Sequence, residues 1–516
     1  MSKNINIDKL PELTEEEIRK WILKDINDEN NTLEFKTAAD RVPHDYWKTY
    51  SSFCNTRGGE VILGIQESFP QNIVHGVGDP YKIQGSLDCE FANPNKVSYN
   101  AMVNNPVLLR KYNGKAIVIT QIPEVPLARK PVYINNKPTE VYIRTGEGDR
   151  KASNDQLEMM SRNASNTSTD QDLLTGFTTD SLDVDSVISY KEKVSRRYPD
   201  RGFSMVSWEQ FLDRIGAVEL DQKSGKYILK KATLLFFGRI NEIHKVYPKF
   251  HVDYFRKDPG STRWSDRVTD DDLTFPEMNL YLFFNLVFEK LMAMTQNSFS
   301  LSASQERTGD RQMATAFREA LVNALAHSDY DGPNPVVKIT ATSDYILFEN
   351  PGILLVNEED YIHGGETRPR NERIMSLFRF LGLSERQGQG GAQIFSAAYM
   401  NKVRSPEIKT NLEKTELKIW IIDLADSYPA LGLNEKRILK YMILNNDTDT
   451  FSVPELDKKL TGLSAYQIRK CLGQLISEGL VRKTGNGKNT RYGLNPNTHE
   501  KITQQQMRLE QMRNAL

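Results

Sequence analysis

The chain has 516 residues, with 67 lysines and arginines against 68 aspartates and glutamates, for a formal net charge of −1. Its length allows about three domains, and 39% hydrophobic with 26% charged residues is the make-up of ordinary packed cores; near-neutral charge excludes wholesale electrostatic capture of nucleic acid, so any such contact must come from local patches. No apolar run reaches the roughly 18 residues needed to cross a bilayer, the polar stretch Met1–Asp8 lacks the apolar segment of a signal peptide, and Cys54, Cys89 and Cys471 are too far apart for a zinc spacing, so the expectation is a cytoplasmic protein without membrane contact.

From Thr14 to Asp28 the pattern is that of an amphipathic helix, with Ile18, Trp21, Ile22 and Ile26 on one face and Thr14 and Glu17 at capping-box spacing. A strand-like piece, Glu29 to Lys36, follows. The next helix is expected from Asp45, with Tyr46, Tyr50 and Phe53 on one side, ending at the glycine stop Asn55-Thr-Arg-Gly-Gly59. Glu60-Val-Ile-Leu-Gly-Ile65 then reads as a buried strand, completing one α/β unit.

Three pieces of this unit, Glu29…Glu34-Phe-Lys36, Phe53-Cys-Asn-Thr-Arg-Gly-Gly59 and Leu63-Gly-Ile-Gln-Glu67, resemble the Schlafen AlbA-type domain. The likeness continues more weakly through Arg129-Lys-Pro-Val-Tyr133 and Val141–Gly146. It implies a nucleic-acid-binding domain over residues 1–155, with Lys36, Arg57 and Arg144 toward the nucleic acid. In some Schlafen proteins three carboxylates at these places form a metal-dependent ribonuclease site. Carried over, Glu29, Glu34 and Glu67 would be the catalytic residues and the ligands of Mg2+ or Mn2+. The third position departs from the family: the aspartate is Glu67 here and its neighbour is Gln66, which moves the carboxylate by one methylene. The residues alone leave another reading open, in which Glu34 and Lys36 pair with each other and Glu67 sits in a solvated turn. Arg110, Lys111, Lys115, Arg129, Lys130, Arg150 and Lys151 add positive charge, either a surface for a phosphate backbone or an ordinary solvated face.

Residues 156–184, rich in Ser, Thr, Asn and Asp, carry the composition of a linker. Beyond them Ser186–Arg196 and Trp208–Arg214 look helical, Ala232–Gly238 is a short apolar run, Lys249–Phe255 alternates as a strand does, and Leu280–Met294 is a strongly apolar helix. His244, His251 and His363 have no metal-like spacing and are expected to be packed or surface histidines.

The stretch from Phe317 to Tyr330 has helical periodicity in three registers: Phe317, Leu321 and Leu325; Ala316, Ala320 and Ala324; and Glu319, Asn323 and His327. An amide oxygen can ligate magnesium and a carboxylate can orient or deprotonate water, so this polar face suits a phosphate–metal site; a simply solvated face would show the same spacing. Asn350-Pro-Gly352 closes a strand-like run, which is also ordinary turn chemistry. Gly388-Gln-Gly-Gly391 opens another helix, where backbone N–H groups could approach a phosphate. Together with Glu349–Gly352, Arg370-Asn371 and Glu385–Gly390, these parts resemble the divergent gyrase/MutL/histidine-kinase-like ATPase domain found behind Schlafen AlbA-type domains in bacterial proteins labelled as transcriptional regulators. The resemblance implies an α/β-sandwich ATPase-like domain over 185–428 that uses ATP and Mg2+. Glu319 would activate water, Asn323 would hold Mg2+, and His327, Asp329, Asn350, Gly352, Gly388, Gly390 and Gly391 would contact nucleotide. One departure is the turn itself, Asn350-Pro-Gly where the wider group has Asp-x-Gly. Arg370 and Asn371 would touch a phosphate or cap the helix expected over Ile374–Leu381.

In the C-terminal stretch, Asn434–Asn445, Ser452–Leu460 and Ser464–Gly479 read as three helices, followed by a basic hairpin with a Gly-Asn-Gly tip. Ile438, Leu439, Met442 and Ile443 point inward on the first, and Ile468, Leu472, Leu475 and Ile476 on the third. The pattern resembles a winged helix-turn-helix over 429–497, with Arg469 and Lys470 on the helix for the major groove and Arg482, Lys483, Lys488 and Arg491 on the wing; protein contact or dimerisation is the other use of such a fold. Residues 498–516 form a polar, helix-prone tail suited to a dimer contact. The expected whole is an α/β multidomain homo-oligomer that binds ATP and nucleic acid, DNA before RNA, as a transcriptional regulator. The alternative is a Schlafen-like metal-dependent ribonuclease acting on tRNA or other RNA, in phage defence.

Overall fold

The computed structural model describes residues 7–24, 32–146, 148–165, 167–261, 263–275, 277–298, 306–365, 368–383, 388–445 and 450–515. They divide into two compact units, Met1–Thr167 and Ser168–Leu516.

In the first unit, β1 (Leu33–Lys36), β2 (Gly59–Leu63), β3 (Leu108–Tyr112) and β4 (Lys115–Ile122) form a sheet in the order β1-β2-β4-β3. β1 and β2 are parallel and joined by α1 (Tyr46–Asn55); the other pairs are antiparallel. Tyr46, Tyr50 and Phe53 are fully buried, as their spacing predicts, and the Tyr46 and Tyr50 rings pack with Trp47 and Phe91. The Asn-Thr-x-Gly-Gly motif is structural. The buried Asn55 amide donates to Val132 O at 2.9 Å and Tyr142 O at 3.1 Å and accepts from Val132 N at 2.8 Å, satisfying polar groups that would be costly to bury alone. Gly58 has φ +70°, and a Cβ on Gly59 would stand 2.6 Å from Thr32 O, so neither position takes a side chain. The first helix starts at the expected Thr14/Glu17 capping box, widens into a π-type turn and stops at left-handed Lys24. The rest of that predicted helix, through Asp28, and the carboxylate Glu29 lie outside the described residues. After the hairpin of β5 (Tyr142–Thr145) and β6 (Gly148–Lys151) comes α2 (Asn154–Ala164), begun by a Ser153/Gln156 capping box.

The boundary between the two units falls inside the stretch 156–184, but its described residues carry regular structure rather than the open chain that their composition suggested. Most of α2 lies in it, and β7 (Leu173–Thr178) joins β8 (Val218–Leu220) and β9 (Tyr227–Lys230) in a sheet ordered β8-β9-β7. Its polar residues serve as caps. The buried Asp170 carboxylate accepts from the N–H groups of Arg373 and Ile374 at 2.9 and 3.0 Å, and Ser168 Oγ accepts from Glu372 N at 3.2 Å. Composition alone cannot separate capping residues from solvated ones.

The second unit is built on a six-stranded sheet of β10 (His251–Lys257), β11 (Trp264–Thr269), β12 (Val336–Ala341), β13 (Tyr345–Pro351), β14 (Glu407–Thr410) and β15 (Lys414–Trp420). The order is β11-β10-β12-β13-β15-β14, with only β10 and β12 parallel. The apolar run 232–238 forms α3 (Lys231–Phe237), and α4 (Leu280–Ser298) and α5 (Glu306–Ala326) follow β11. The two small or apolar registers read in α5 are all inside the main core. α6 (Glu358–His363), α7 (Glu372–Phe380) and α8 (Gly390–Met400) lie between β13 and β14 in sequence. α5 packs against α8, with Asn401 Nδ2 donating to Gln312 Oε1 at 3.3 Å and Gly390 set close to Glu319 and Asn323.

The chain then forms α9 (Leu433–Leu444), α10 (Val453–Lys459) and α11 (Ala465–Ser477) around Ile438, Leu439, Met442, Leu456, Ile468, Leu472 and Leu475. Ser452 and Ser464 each open a capping box. Ile443 is partly buried, but Ile476, predicted to face inward, is 36% exposed. A hairpin of β16 (Val481–Thr484) and β17 (Arg491–Leu494) completes this module, and the tail is α12 (Thr498–Ala515). Its first half docks on its own chain, where Ile502 is buried with Ile362 and Phe395. No helix among the described residues is long and apolar enough to cross a membrane.

Candidate functional site

α5 carries Glu319 and Asn323 one turn apart into the wall of a cleft of about 1100 Å³, its open mouth included. The polar face is not simply solvated, because Glu319 is 2% exposed. α8 starts directly against it. A Cβ on Gly390 would stand 3.1 Å from Glu319 Oε2 and 3.2 Å from Asn323 Nδ2, and one on Gly391 would overlap the Tyr361 carbonyl. Gly388, at φ +82°, accepts from Gly365 N–H at 3.1 Å, so the glycine turns at 364–365 and 388–391 lie on each other. Only glycine lets backbone come this near side chains and other backbone, and the N–H groups of the first turn of α8, which have no acceptor within the helix, make that end electropositive.

Sequence reasoning missed four further residues of the cleft: Tyr361, Arg368, Arg379 and Thr415. None repeats with a helix or strand period that points to a site; the composition of Thr367–Arg373 was the only signal, and it covers Arg368 alone. Asn323 Nδ2 donates to the Tyr361 hydroxyl at 3.4 Å. Burial pushes the Tyr361 phenol up to about 12, the Asn323 hydrogen bond acting against this and the Glu319 carboxylate adding to it, so the phenol is neutral at pH 7. Glu319 Oε1 lies 3.2 Å from the Arg318 guanidinium. A carboxylate and an amide oxygen suit a hard cation such as Mg2+. Two arginines and a helix N-terminus suit phosphates. Phe348, Ile353, Val356 and Leu417 give an apolar wall for a planar base. The residues present thus fit a nucleoside polyphosphate with its metal.

His327 also lines the cleft. Burial, with the Arg370 guanidinium beside it, pushes its imidazole down to about 4, so it is neutral at pH 7 and brings no charge to an anion. Asn350, 9% exposed, is paired in register with Thr415; both line the cleft, and the Asn350 amide donates to Pro351 O at 3.3 Å. Gly352, at φ +95°, packs against the Arg370 guanidinium. Asp329 is not among the cleft walls. Its N–H donates to Pro351 O at 2.9 Å and Gly332 turns close to its carboxylate, so it anchors a loop. Arg370 donates to His327 O and Ile353 O at 3.1 and 3.2 Å, and Asn371 to Ala326 O and Ser328 O at 3.0 and 2.7 Å. These two residues tie the loop after α5 to the turn after β13, and Asn371 makes no side-chain cap of α7.

Of the expected carboxylate triad in the first unit, Glu29 lies outside the described residues, and Glu34 and Glu67 take different partners. Glu34 has both oxygens engaged, Oε1 with Lys36 at 3.0 Å and Oε2 with Arg144 at 2.9 Å. Lys36 also meets Asp45 at 2.9 Å and Arg144 meets Asp149 at 3.0 Å. Burial works to lower the Lys36 pKa, but Asp45 and Glu34 outweigh it and leave it raised. Glu67 is 71% exposed and pairs with Lys24 at 3.3 Å. No group of three His, Cys, Asp or Glu suited to a metal occurs among the described residues. The side chains of Lys36 and Arg144, expected on a nucleic-acid surface, are covered and paired with carboxylates, whereas Arg57, Arg150 and Lys151 are exposed. In the C-terminal module Arg469 and Lys470 are exposed on α11 beside Tyr466, which is 75% exposed, and Arg482, Lys483 and Lys488 are exposed on the hairpin. Arg491 turns back to Glu455 at 3.2 Å.

Fold and cleft define a multidomain α/β protein with an ATPase-like domain. The family model "Schlafen, AlbA_2" matches residues 29–153, "Domain of unknown function (DUF8451)" matches 158–253, and "Putative ATP-dependent DNA helicase recG C-terminal" matches 335–419. The chain therefore carries a Schlafen AlbA_2 domain followed by an ATPase-like domain of the RecG C-terminal type. The third match holds Asn350, Gly352 and the Gly388–Gly391 turn but begins after Glu319 and Asn323; the second spans most of the stretch whose composition suggested a linker. No curated protein matches the chain. Among solved structures, the DIP2311 protein of Corynebacterium diphtheriae is 16% identical, with 92% of this chain and 98% of that chain covered and a TM-score of 0.37. The N-terminal domain of a RecG-related protein from Nitrosomonas europaea is 20% identical, with 25% and 88% covered and a TM-score of 0.19.

Proposed function

We propose that the protein is an ATP-binding, DNA-binding transcriptional regulator whose hold on DNA responds to nucleotide. The observation that carries this is the convergence of Glu319, Asn323 and the Gly390 backbone on one cleft, in the same compact unit as a three-helix module with a cationic hairpin. In this reading the Asn323 amide oxygen holds Mg2+, which neutralises phosphate charge when bound. Glu319 orients or deprotonates a water. The 388–391 turn, Arg368 and Arg379 receive phosphates, and Asn350 accepts from the adenine amino group. The C-terminal module acts as a winged helix, with Arg469 and Lys470 entering the major groove and Arg482, Lys483 and Lys488 on phosphates. Leu509 and Met512, each 66% exposed and one turn apart on the far half of α12, support pairing of two copies. A ribonuclease centred on Glu34 draws no support from a carboxylate already held by two cations.

The test is a mobility shift on duplex DNA at low salt, with and without Mg2+-ATP, beside Asn323→Ala and an Arg482→Ala/Lys483→Ala double variant. The expected result is an ATP-sensitive shift that Asn323→Ala makes insensitive and the hairpin variant weakens. No shift by the full chain under either condition sinks the proposal; loss of labelled tRNA in the same reactions, abolished by Glu34→Ala, would replace it with the nuclease.

A further inference from the structure

α6 has six residues, too few to hold a position by itself, and it sits between the cleft and the C-terminal helix. On the cleft side its Tyr361 hydroxyl accepts from Asn323 Nδ2 at 3.4 Å and its Tyr361 carbonyl presses on Gly391. On the other side Ile362 is buried against Ile502 of α12 and Phe395 of α8. α12 grips both ends of α6. His499 Nε2 lies 2.7 Å from Glu358 Oε1, and Gln506 Nε2 donates to His363 O at 2.7 Å. The His499 ring also packs edge-on to Phe395, with centroids 5.6 Å apart. His499, Ile502 and Gln506 fall on one helical face, and α12 begins three residues after the hairpin strand β17.

We propose that Tyr361 is a positioning residue of the nucleotide cleft, turning the Asn323 amide so that its oxygen is offered to the cation of a bound Mg2+-nucleotide, and that α12 holds Tyr361 there, coupling the cleft to the helix–hairpin module. The inference rests on the nucleotide-binding reading above. Its chemistry is that the two ends of an amide are opposites. A hard cation takes only the oxygen, and a hydroxyl that accepts from the nitrogen leaves the oxygen for the metal. The coupling runs both ways: if the α12 contact favours nucleotide, nucleotide strengthens the α12 contact by the same factor.

The test uses the full chain and a fluorescent ATP analogue, with Kd measured in Mg2+ and in EDTA for wild type, Tyr361→Phe and Gln506→Ala, and with amide hydrogen exchange of α12 followed with and without Mg2+-ATP. The expected result is a loss of about tenfold in affinity for both variants in Mg2+ and little loss in EDTA, together with slower exchange in α12 when wild type is saturated. Tyr361→Phe keeps the ring, and Gln506→Ala removes one hydrogen bond outside the cleft, so both are expected to fold. Equal losses in Mg2+ and EDTA would make Tyr361 a packing residue only and overturn the proposal. Wild-type affinity in both variants would overturn it too, leaving nucleotide binding intact, as would unchanged α12 exchange on saturation. No binding by wild type in either condition would remove the nucleotide reading and this inference with it.

Discussion

Replacing Arg144 by leucine separates two roles for the charged cluster of the first unit. The Arg144 side chain is 4% exposed, bridges Glu34 at 2.9 Å and Asp149 at 3.0 Å, and lies over the Phe53 ring at 5.2 Å. Its loss leaves two half-covered carboxylates short of a cation. Removing one partner of a buried pair costs about 3–5 kcal/mol. Glu34 keeps Lys36, Asp149 keeps the Thr49 hydroxyl at 2.6 Å, and their side chains are 22% and 12% exposed, so the lower end applies, about 3 kcal/mol. At roughly 2–4 °C per kcal/mol for a domain of this size, the melting transition of the first unit falls by about 6–12 °C. Differential scanning calorimetry of the full chain reads this directly, with the exposed Arg150→Leu as a control expected to move it by no more than about 2 °C. If Arg144 instead serves nucleic acid, Arg144→Leu leaves the transition within about 2 °C of wild type and lowers nucleic-acid affinity. That pair of results would refute the internal ion network as the reason Glu34 is placed where it is.

Gly391→Ala forces a Cβ into the Tyr361 carbonyl, a backbone atom with nowhere to go; nucleotide affinity is expected to fall at least tenfold, about 1.4 kcal/mol, by titration calorimetry, and a change under twofold would count against a close-packed glycine lid. Asp170→Ala strips two backbone N–H groups at the start of α7 of their acceptor and is expected to lower the unfolding free energy by about 2 kcal/mol in urea, the upper end for a lost cap because the site is buried; an unchanged midpoint would mean water replaces the carboxylate. Stability also carries a pH signature at His251 and Asp270, which meet at 2.7 Å. The hydrogen bond that His251 donates to Asp270 raises the His251 pKa above 6.5, with burial acting the other way. Burial works to raise Asp270, but His251 and the Val252 N–H prevail and leave it below 3.8. The His251 contribution is full below pH 6.5 and is lost as pH climbs through its raised pKa, while that of Asp270 is full above pH 3.8 and is lost as pH falls through its lowered one. Melting temperature should therefore decline above pH 6.5 more steeply in wild type than in His251→Asn, and parallel profiles would show that the pair contributes nothing.

The sequence by itself determined the parts whose cause is local. The α5 periodicity, the Thr14 and Ser452 caps, the buried face of α1, the glycine turns at 352 and 388–391, and the order of three helices and a hairpin all follow from residues within one or two turns of each other. Backbone hydrogen bonds, steric limits on φ and the 3.6-residue repeat act over that range. The tertiary structure alone decided which side chains meet across long separations: Arg144 with Glu34, 110 positions apart; Asp170 with the start of α7, 203 apart; Tyr361 with Asn323, 38 apart; and Gln506 with His363, 143 apart. Those pairings engage Glu34, an expected metal ligand, in an internal ion network, put helix-capping residues in an expected linker, and bring the tail, expected to make a dimer contact, against α6 of its own chain. They depend on strand order and on how helices pack over the sheet. No short-range rule encodes either, because a carboxylate or an amide carries the same local signal whether it faces water, a metal or a buried arginine.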